Sequence, residues 1–169
     1  MAAIIRDAVR GDARALVAFV QELAREPDFN APVAPDELAT SVADERDAIE
    51  AAAADPRARW LVAEAGGAIV GQLSIKPASP RRALAHVGVL GMSVRLAHRR
   101  RGIGRALLAE AIAWAPAAGI TRLELYVYAR NTAAIALYER AGFLHEGRRR
   151  GYVREGDAYL DDLVMARLV

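Results

Sequence analysis

Two stretches of this chain hold residues whose types and spacing could do chemistry. The first reads Val94-Arg95-Leu96-Ala97-His98-Arg99-Arg100-Arg101-Gly102-Ile103-Gly104-Arg105. Apolar and β-branched residues lead in, and the helical pattern Ala106-Leu107-Leu108-Ala109-Glu110-Ala111-Ile112 leads out. The glycines let the backbone turn tightly with its N–H groups bare of side-chain cover. Those groups meet the positive end of a helix dipole, which together makes a site for a phosphate or pyrophosphate. The arginines add mobile positive charge around it. In the second stretch Asn131 opens a helix and Tyr138 lies seven residues on, roughly two turns along the same face. Asn131 suits an N-cap. Taken by itself, Tyr138 reads as a core aromatic with a satisfied hydroxyl.

Both stretches carry a resemblance. The run Arg99-x-x-Gly102-x-Gly104 is similar to the signature of the Gcn5-related N-acetyltransferases, and Asn131-x-x-Ala134-x-x-Leu137-Tyr138-x-x-x-Gly142-Phe143 resembles that family's second block closely. The likeness extends over essentially the whole chain and is strongest from Ala85 onward. It implies that Arg99, Arg100, Arg101, Gly102, Ile103, Gly104 and Arg105 hold the pyrophosphate of acetyl-CoA. It further implies that the backbone of Met92, Ser93 and Val94 pairs with the pantetheine arm, that Asn131 and Ala134 border it, and that Tyr138 protonates the departing thiolate. The ending from Gly151 to Leu168 resembles members that act on amino acids, phosphinothricin-like analogues or protein N-termini.

The reaction so implied is attack of an amine on a thioester. Side-by-side binding supplies proximity, a backbone N–H near Met92 to Val94 meets the developing oxyanion, and a tyrosine of ordinary pKa about 10 stays protonated at neutral pH. Relatives often place a carboxylate on the strand before the pyrophosphate loop or on the next one. Here the first reads His86-Val87-Gly88-Val89-Leu90-Gly91-Met92 and has no acid, while the second reads Leu123-Glu124-Leu125-Tyr126-Val127-Tyr128. The base is therefore Glu124, His86 or water. Arg148-Arg149-Arg150 reads as a solvated strand edge or as a wall that attracts an acceptor's carboxylate.

Composition narrows the alternatives. A chain of 169 residues is most simply one domain, 1–169. It has no cysteine, so disulfides, thiolate metal sites and a cysteine acyl-enzyme are excluded. Its three histidines, His86, His98 and His145, lack ligand-like spacing, so no metal is expected. No apolar run approaches the roughly 20 residues of a membrane span, and the short apolar start reads as a strand, so a cytoplasmic protein is expected. Residues 1–64 carry 7 arginines against 13 acids, and residues 65–169 carry 16 basic residues against 8 acids. The basic portion suits an anionic cofactor and the acidic portion a cationic acceptor, although solvated helix faces would look the same. The arginine run lacks interleaved aromatics, so no nucleic acid is expected as partner.

The elements that must position these residues follow from pattern and punctuation. Strands are expected at Ala3–Asp7, Trp60–Glu64, Ile69–Ile75, Ala85–Val94 and Thr121–Tyr128, with two more after Phe143 that turn at Glu155-Gly156-Asp157. Helices are expected from Gly11 with Asp12 as N-cap, over Asp36–Ala54, from Gly104 to about Ala118, and from Asn131 to Ala141. Pro27, Pro32 and Pro35 break the chain between the first two helices. The order β-α-α-β-β-β-α-β-α-β-β is a mixed, mostly antiparallel α/β sheet of six to seven strands with helices on both faces, which is also the fold of the resembled family. The expected function is acetyl transfer from acetyl-CoA to a small primary amine. Acetylation of a protein N-terminus or lysine is the second reading, and a non-catalytic acetyl-CoA sensor the third. The resemblance leaves room for a homodimer.

Overall fold

The computed structural model describes residues 3–27, 29 and 40–169. Pro32, Pro35 and the expected helix start at Asp36 lie outside the described residues. The elements are β1 (Ile4–Asp7), α1 (Ala13–Leu23), α2 (Val42–Ala54), β2 (Arg59–Ala65), β3 (Ala68–Pro77), β4 (Val87–Val94), α3 (Ile103–Trp114), β5 (Arg122–Tyr128), α4 (Thr132–Arg140), β6 (Leu144–Glu155) and β7 (Ala158–Leu168). The strands form one seven-stranded sheet in the order β1-β2-β3-β4-β5-β7-β6. Every pairing is antiparallel except β4 with β5.

Side-chain alternation decides what each face carries. On β5, Leu123, Leu125 and Val127 are buried while Arg122, Glu124 and Tyr126 point the other way. The first set joins Leu73, Ile75 and Leu90 under Leu107, Leu108 and Ala111 of α3 and Tyr138 of α4 in the main core. A second cluster packs Leu16, Phe19 and Leu23 of α1 and Ile49 of α2 on Val62 and Ile69. That cluster stops at β3, so among the described residues it does not cover the opposite face of β4, β5 and β7.

Glycines set two close approaches. A Cβ at Gly88 would stand 2.8 Å from Ile75 Cγ2 and 3.0 Å from Ile120 Cδ1. Side chains already fill the space that a Cβ would take at this strand glycine. Gly66 and Gly67 turn the β2–β3 hairpin at φ 60° and 77°.

Three expectations need correcting. Asp12 does not cap α1 with its side chain. Its carboxylate accepts from Val9 N at 2.8 Å and pairs with Arg6 at 2.7 Å, closing the turn ahead of the helix instead. Residues 85 and 86 precede β4 rather than belong to it, because a 3-10 turn at Arg82–Leu84 ends there. The helix after Gly102 changes to a 3-10 turn at Ala115–Ala118, where Pro116 has no N–H to continue it, and Gly119 closes that turn at φ 74°.

Candidate active site

The parallel pair is where the sheet opens. β4 and β5 pair from Val87↔Arg122 to Leu90↔Leu125 and then part. β4 continues along β3 to Val94↔Gly71, and β5 continues along β7 to Tyr128↔Asp162. The side of Gly91–Val94 that would face β5 is thus left without a strand partner. Parallel strands whose following helices diverge leave a crevice at their carboxyl ends, where ligands bind. Both helices that follow, α3 and α4, begin at this parting.

One wall is the loop from Arg95 to Gly102. Arg100 at φ 60° is the one non-glycine described residue in the left-handed region, and Gly102 at φ 83° is left-handed too. Among the described residues, this coiling leaves the backbone N–H groups of residues 102–105 without a backbone acceptor. The first bond of the helix start is Ala106 N to Gly102 O at 3.0 Å. Gly102 has no side chain to cap them. Unpaired N–H groups at a helix N-terminus suit an anion. Arg100, Arg101 and Arg105 are exposed beside them. Space at Gly104 is tight, since a Cβ there would stand 3.1 Å from Leu137 Cδ2 of α4.

Arg99 is held rather than mobile, unlike its expected role as loose charge. Its Nε donates to Val94 O at 2.8 Å and its Nη2 pairs with Glu26 at 2.5 Å. Glu26 also accepts from Leu96 N at 2.7 Å, and Glu22 pairs with Arg95 at 2.6 Å. The carboxylates at and just beyond the end of α1 therefore brace the loop, a contact between distant segments that the motif alone did not reveal. His98 is half-buried in the same loop.

The other wall is α4. Asn131 Oδ1 accepts from Ala134 N at 3.2 Å, which is the expected cap. Tyr138 is 6% exposed and its ring stands 5.8 Å from that of Phe143. Its hydroxyl makes no hydrogen bond among the described residues, and it is not among the polar atoms sealed from solvent without a partner. The core reading of Tyr138 requires a satisfied hydroxyl, and this one is unspent. Burial pushes its pKa up to about 12.

Glu124 lies below the parting, paired in register with Val89. Its Oε1 accepts from the Tyr126 hydroxyl at 2.5 Å and its Oε2 from Arg122 at 2.9 Å. Donation to Glu124 holds the Tyr126 phenol above its ordinary pKa. Tyr126 is 45% exposed and stands just past the last β4–β5 pair, on the face the α1–α2 cluster does not cover. His86 sits before β4, at the opposite end of that strand from the parting. Sequence reasoning passed over Glu45, a carboxylate in the first turn of α2 that is only 8% exposed. Burial raises its pKa, opposed by Lys76. Its helical neighbours are mostly alanine and acid, so no local pattern marks it as an inward position.

Among the described residues there is no group of three or more histidines or acids that could hold a metal ion, and no helix is long and apolar enough to cross a membrane. A family model described as the acetyltransferase (GNAT) family matches residues 16–143. The L-amino acid N-acetyltransferase AaaT of Escherichia coli (strain K12) is 35% identical over 118 residues, spanning 67% of this chain and 70% of that protein. The ribosomal protein bS18-alanine N-acetyltransferase of the same strain is 44% identical over 69 residues, 41% of this chain and 47% of its own length. The crystal structure of a GNAT-family acetyltransferase from Streptococcus pneumoniae superposes with a TM-score of 0.93 at 31% identity, covering 99% of each chain. Solved structures of more distant proteins with this fold carry acetyl-CoA.

Proposed function

This chain belongs to the acetyltransferase (GNAT) family, and from that premise we propose that it moves the acetyl group of acetyl-CoA to the primary amine of a small molecule, an amino acid or close analogue. The observation that carries the reading is the parting of β4 and β5 between a loop of unpaired N–H groups and an unspent Tyr138 hydroxyl.

The residues present fit acetyl-CoA. The N–H groups of residues 102–105, unpaired among the described residues and with Arg100, Arg101 and Arg105 beside them, suit a pyrophosphate. The free edge of Met92, Ser93 and Val94 suits an amide-bearing arm, which would lie on β4 as a strand does, with Asn131 and Ala134 facing it from α4. When bound, acetyl-CoA supplies an activated thioester. Met92 to Val94 present a backbone N–H to its carbonyl oxygen. Tyr138 holds a proton that burial keeps in place at neutral pH and gives it to the sulfur. Tyr126, with its hydroxyl bonded to Glu124, stands on the acceptor side and passes the amine's proton toward that carboxylate.

The experiment is release of free CoA from acetyl-CoA across free amino acids, phosphinothricin-like analogues, polyamines, aminoglycosides and short peptides. Turnover with one small-amine class supports the reading. Turnover with peptides alone favours the second reading, transfer to a protein N-terminus or lysine, which the likeness to the ribosomal protein-alanine enzyme motivates. Silence throughout, with acetyl-CoA bound, favours a sensor.

A further inference from the structure

Arg149 of β6 is built into the face beside the parting in a way the transfer chemistry does not use. Its Nε donates to Asp162 Oδ1 at 2.7 Å and its Nη2 to Asp162 Oδ2. Asp162, on β7, is 3% exposed. The guanidinium carbon lies 4.2 Å from the ring centre of Tyr126 and 3.6 Å from that of Tyr152. β7 separates β6 from β5 in the sheet, so a β6 side chain that stacks on Tyr126 has crossed over β7 toward the parting. Asp162 and the two rings fix the plane of the guanidinium, and a fixed fork loses little entropy when it binds.

The fork is only half spent. The Nε–Nη2 edge is committed to Asp162, while Nη1 has no acceptor among the described residues. The remaining Nη1–Nη2 edge has the spacing that a carboxylate accepts through two parallel bonds. A plain surface arginine would not be stacked between two tyrosines and locked to a buried acid. The neighbouring Arg148 and Arg150 are both exposed, and Arg148 pairs with Asp161 at 2.7 Å.

We propose that the free edge of Arg149 anchors the carboxylate of the acceptor, and so selects free α-amino acids over peptides and simple amines. The proposal rests on the reading of the parting as an acetyl-transfer site for a small amine. An amino acid held this way points its amine past Tyr126 toward Gly91–Val94, with Glu124 behind the Tyr126 hydroxyl. A peptide N-terminus offers a carbonyl where the free amino acid offers a charge, and one neutral acceptor leaves the fork underused.

The test is calorimetric titration of the protein saturated with CoA. The ligands are a set of L-amino acids, each beside its carboxamide and its decarboxylated amine. At least one amino acid should bind about tenfold or more tighter than its two counterparts, as expected for a charge-assisted pair. In the double variant Arg149→Gln/Asp162→Asn that preference should vanish while CoA affinity stays. The double change avoids leaving a buried, unpaired carboxylate. The wild-type comparison stands even if the variant does not fold. Equal affinity for acid and amide, an undiminished preference in the folded variant, or no amino acid bound at all would each overturn the proposal. Binding is read without turnover, so carboxylate-dependent binding with no CoA release would instead count against the proposed function. CoA release without a carboxylate preference would count against Arg149 alone.

Discussion

At the scale of single residues, the proton inventory of the parting is short. In the proposed reaction Tyr138 gives a proton, and Glu124 with Tyr126 takes one. Tyr138→Phe keeps the ring against Phe143 and removes only the unspent hydroxyl. It should lower kcat by about a hundredfold or more while leaving the KM for acetyl-CoA little changed, since a positioned acid contributes on that order. Steady-state kinetics with a single acceptor decides this, and equal turnover removes Tyr138 from the role. Burial pushes Tyr138 to about 12, so its donor form persists through neutral and mildly alkaline pH. The kcat profile should therefore show no fall with rising pH below about pH 10. Glu124→Gln keeps a partner for Tyr126 but cannot take up the amine's proton, so it should lower kcat at neutral pH in steady-state assays and leave acetyl-CoA binding intact. Spacing placed Tyr138 roughly two turns from Asn131 on one helix face, whereas its role as acid came only from the family resemblance. The tie between Glu124 and Tyr126 was legible only as a shared strand face, because side-chain direction along a strand is not written in the alternation.

Elements carry the next level of control, and here the sequence was read well for order and less well for braces. Gly119, Gly142 and Gly156 all stand at positive φ where element ends were expected, because a left-handed residue is what ends a helix or tightens a hairpin. What pattern could not supply is contact across many residues. Glu26 is 73 residues from Arg99, and nothing in the motif announces the pair. The brace holds the loop whose N–H groups are proposed to meet acetyl-CoA. Glu26→Gln should thus raise the Kd for acetyl-CoA several-fold, as a charge-assisted bond of the part-buried kind is weakened, with little effect on kcat at saturation. Titration calorimetry with CoA reads it, and an unchanged Kd would show the loop to be self-supporting. Helix α2 has the opposite device. Burial holds the Glu45 carboxyl above its unfolded value. In the window between the two values the native state keeps a proton the unfolded state has lost, so stability falls as pH rises through it. Glu45→Gln should flatten that dependence and raise stability at neutral pH, since an amide has no charge to desolvate. Thermal unfolding at acid and neutral pH checks the sign.

Across the whole molecule, the acidic first portion and basic remainder do not act as two separate fields. Glu22 and Glu26 of the acidic portion are spent on Arg95 and Arg99 of the basic one, while Arg100, Arg101 and Arg105 are left exposed at the loop. The charge imbalance read from the sequence is therefore partly an internal clamp, a distinction that only the folded register can make. The same register explains how the sheet can be tightly closed below the parting and open above it. Gly88 pairs with Leu123 on the closed side, and the space its Cβ would need is filled by Ile75, Ile120 and Leu123. Met92 to Val94, four to six residues further along the same strand, lie on the open side. Gly88→Ala should then separate fold from function. Pushing a methyl into a filled site costs about 1–3 kcal/mol, which for a chain of this size lowers Tm by about 2–4 °C per kcal/mol. Acetyl-CoA affinity and kcat measured well below the transition should remain near wild type, because the closed side can yield by small shifts of Ile75 and Ile120 without moving the parting. A variant of normal Tm would mean that the contact at Gly88 is slack. A variant that kept its Tm penalty and also lost CoA binding would mean that the β4–β5 closure sets the width of the parting, and that the two halves of the crossing are mechanically one piece.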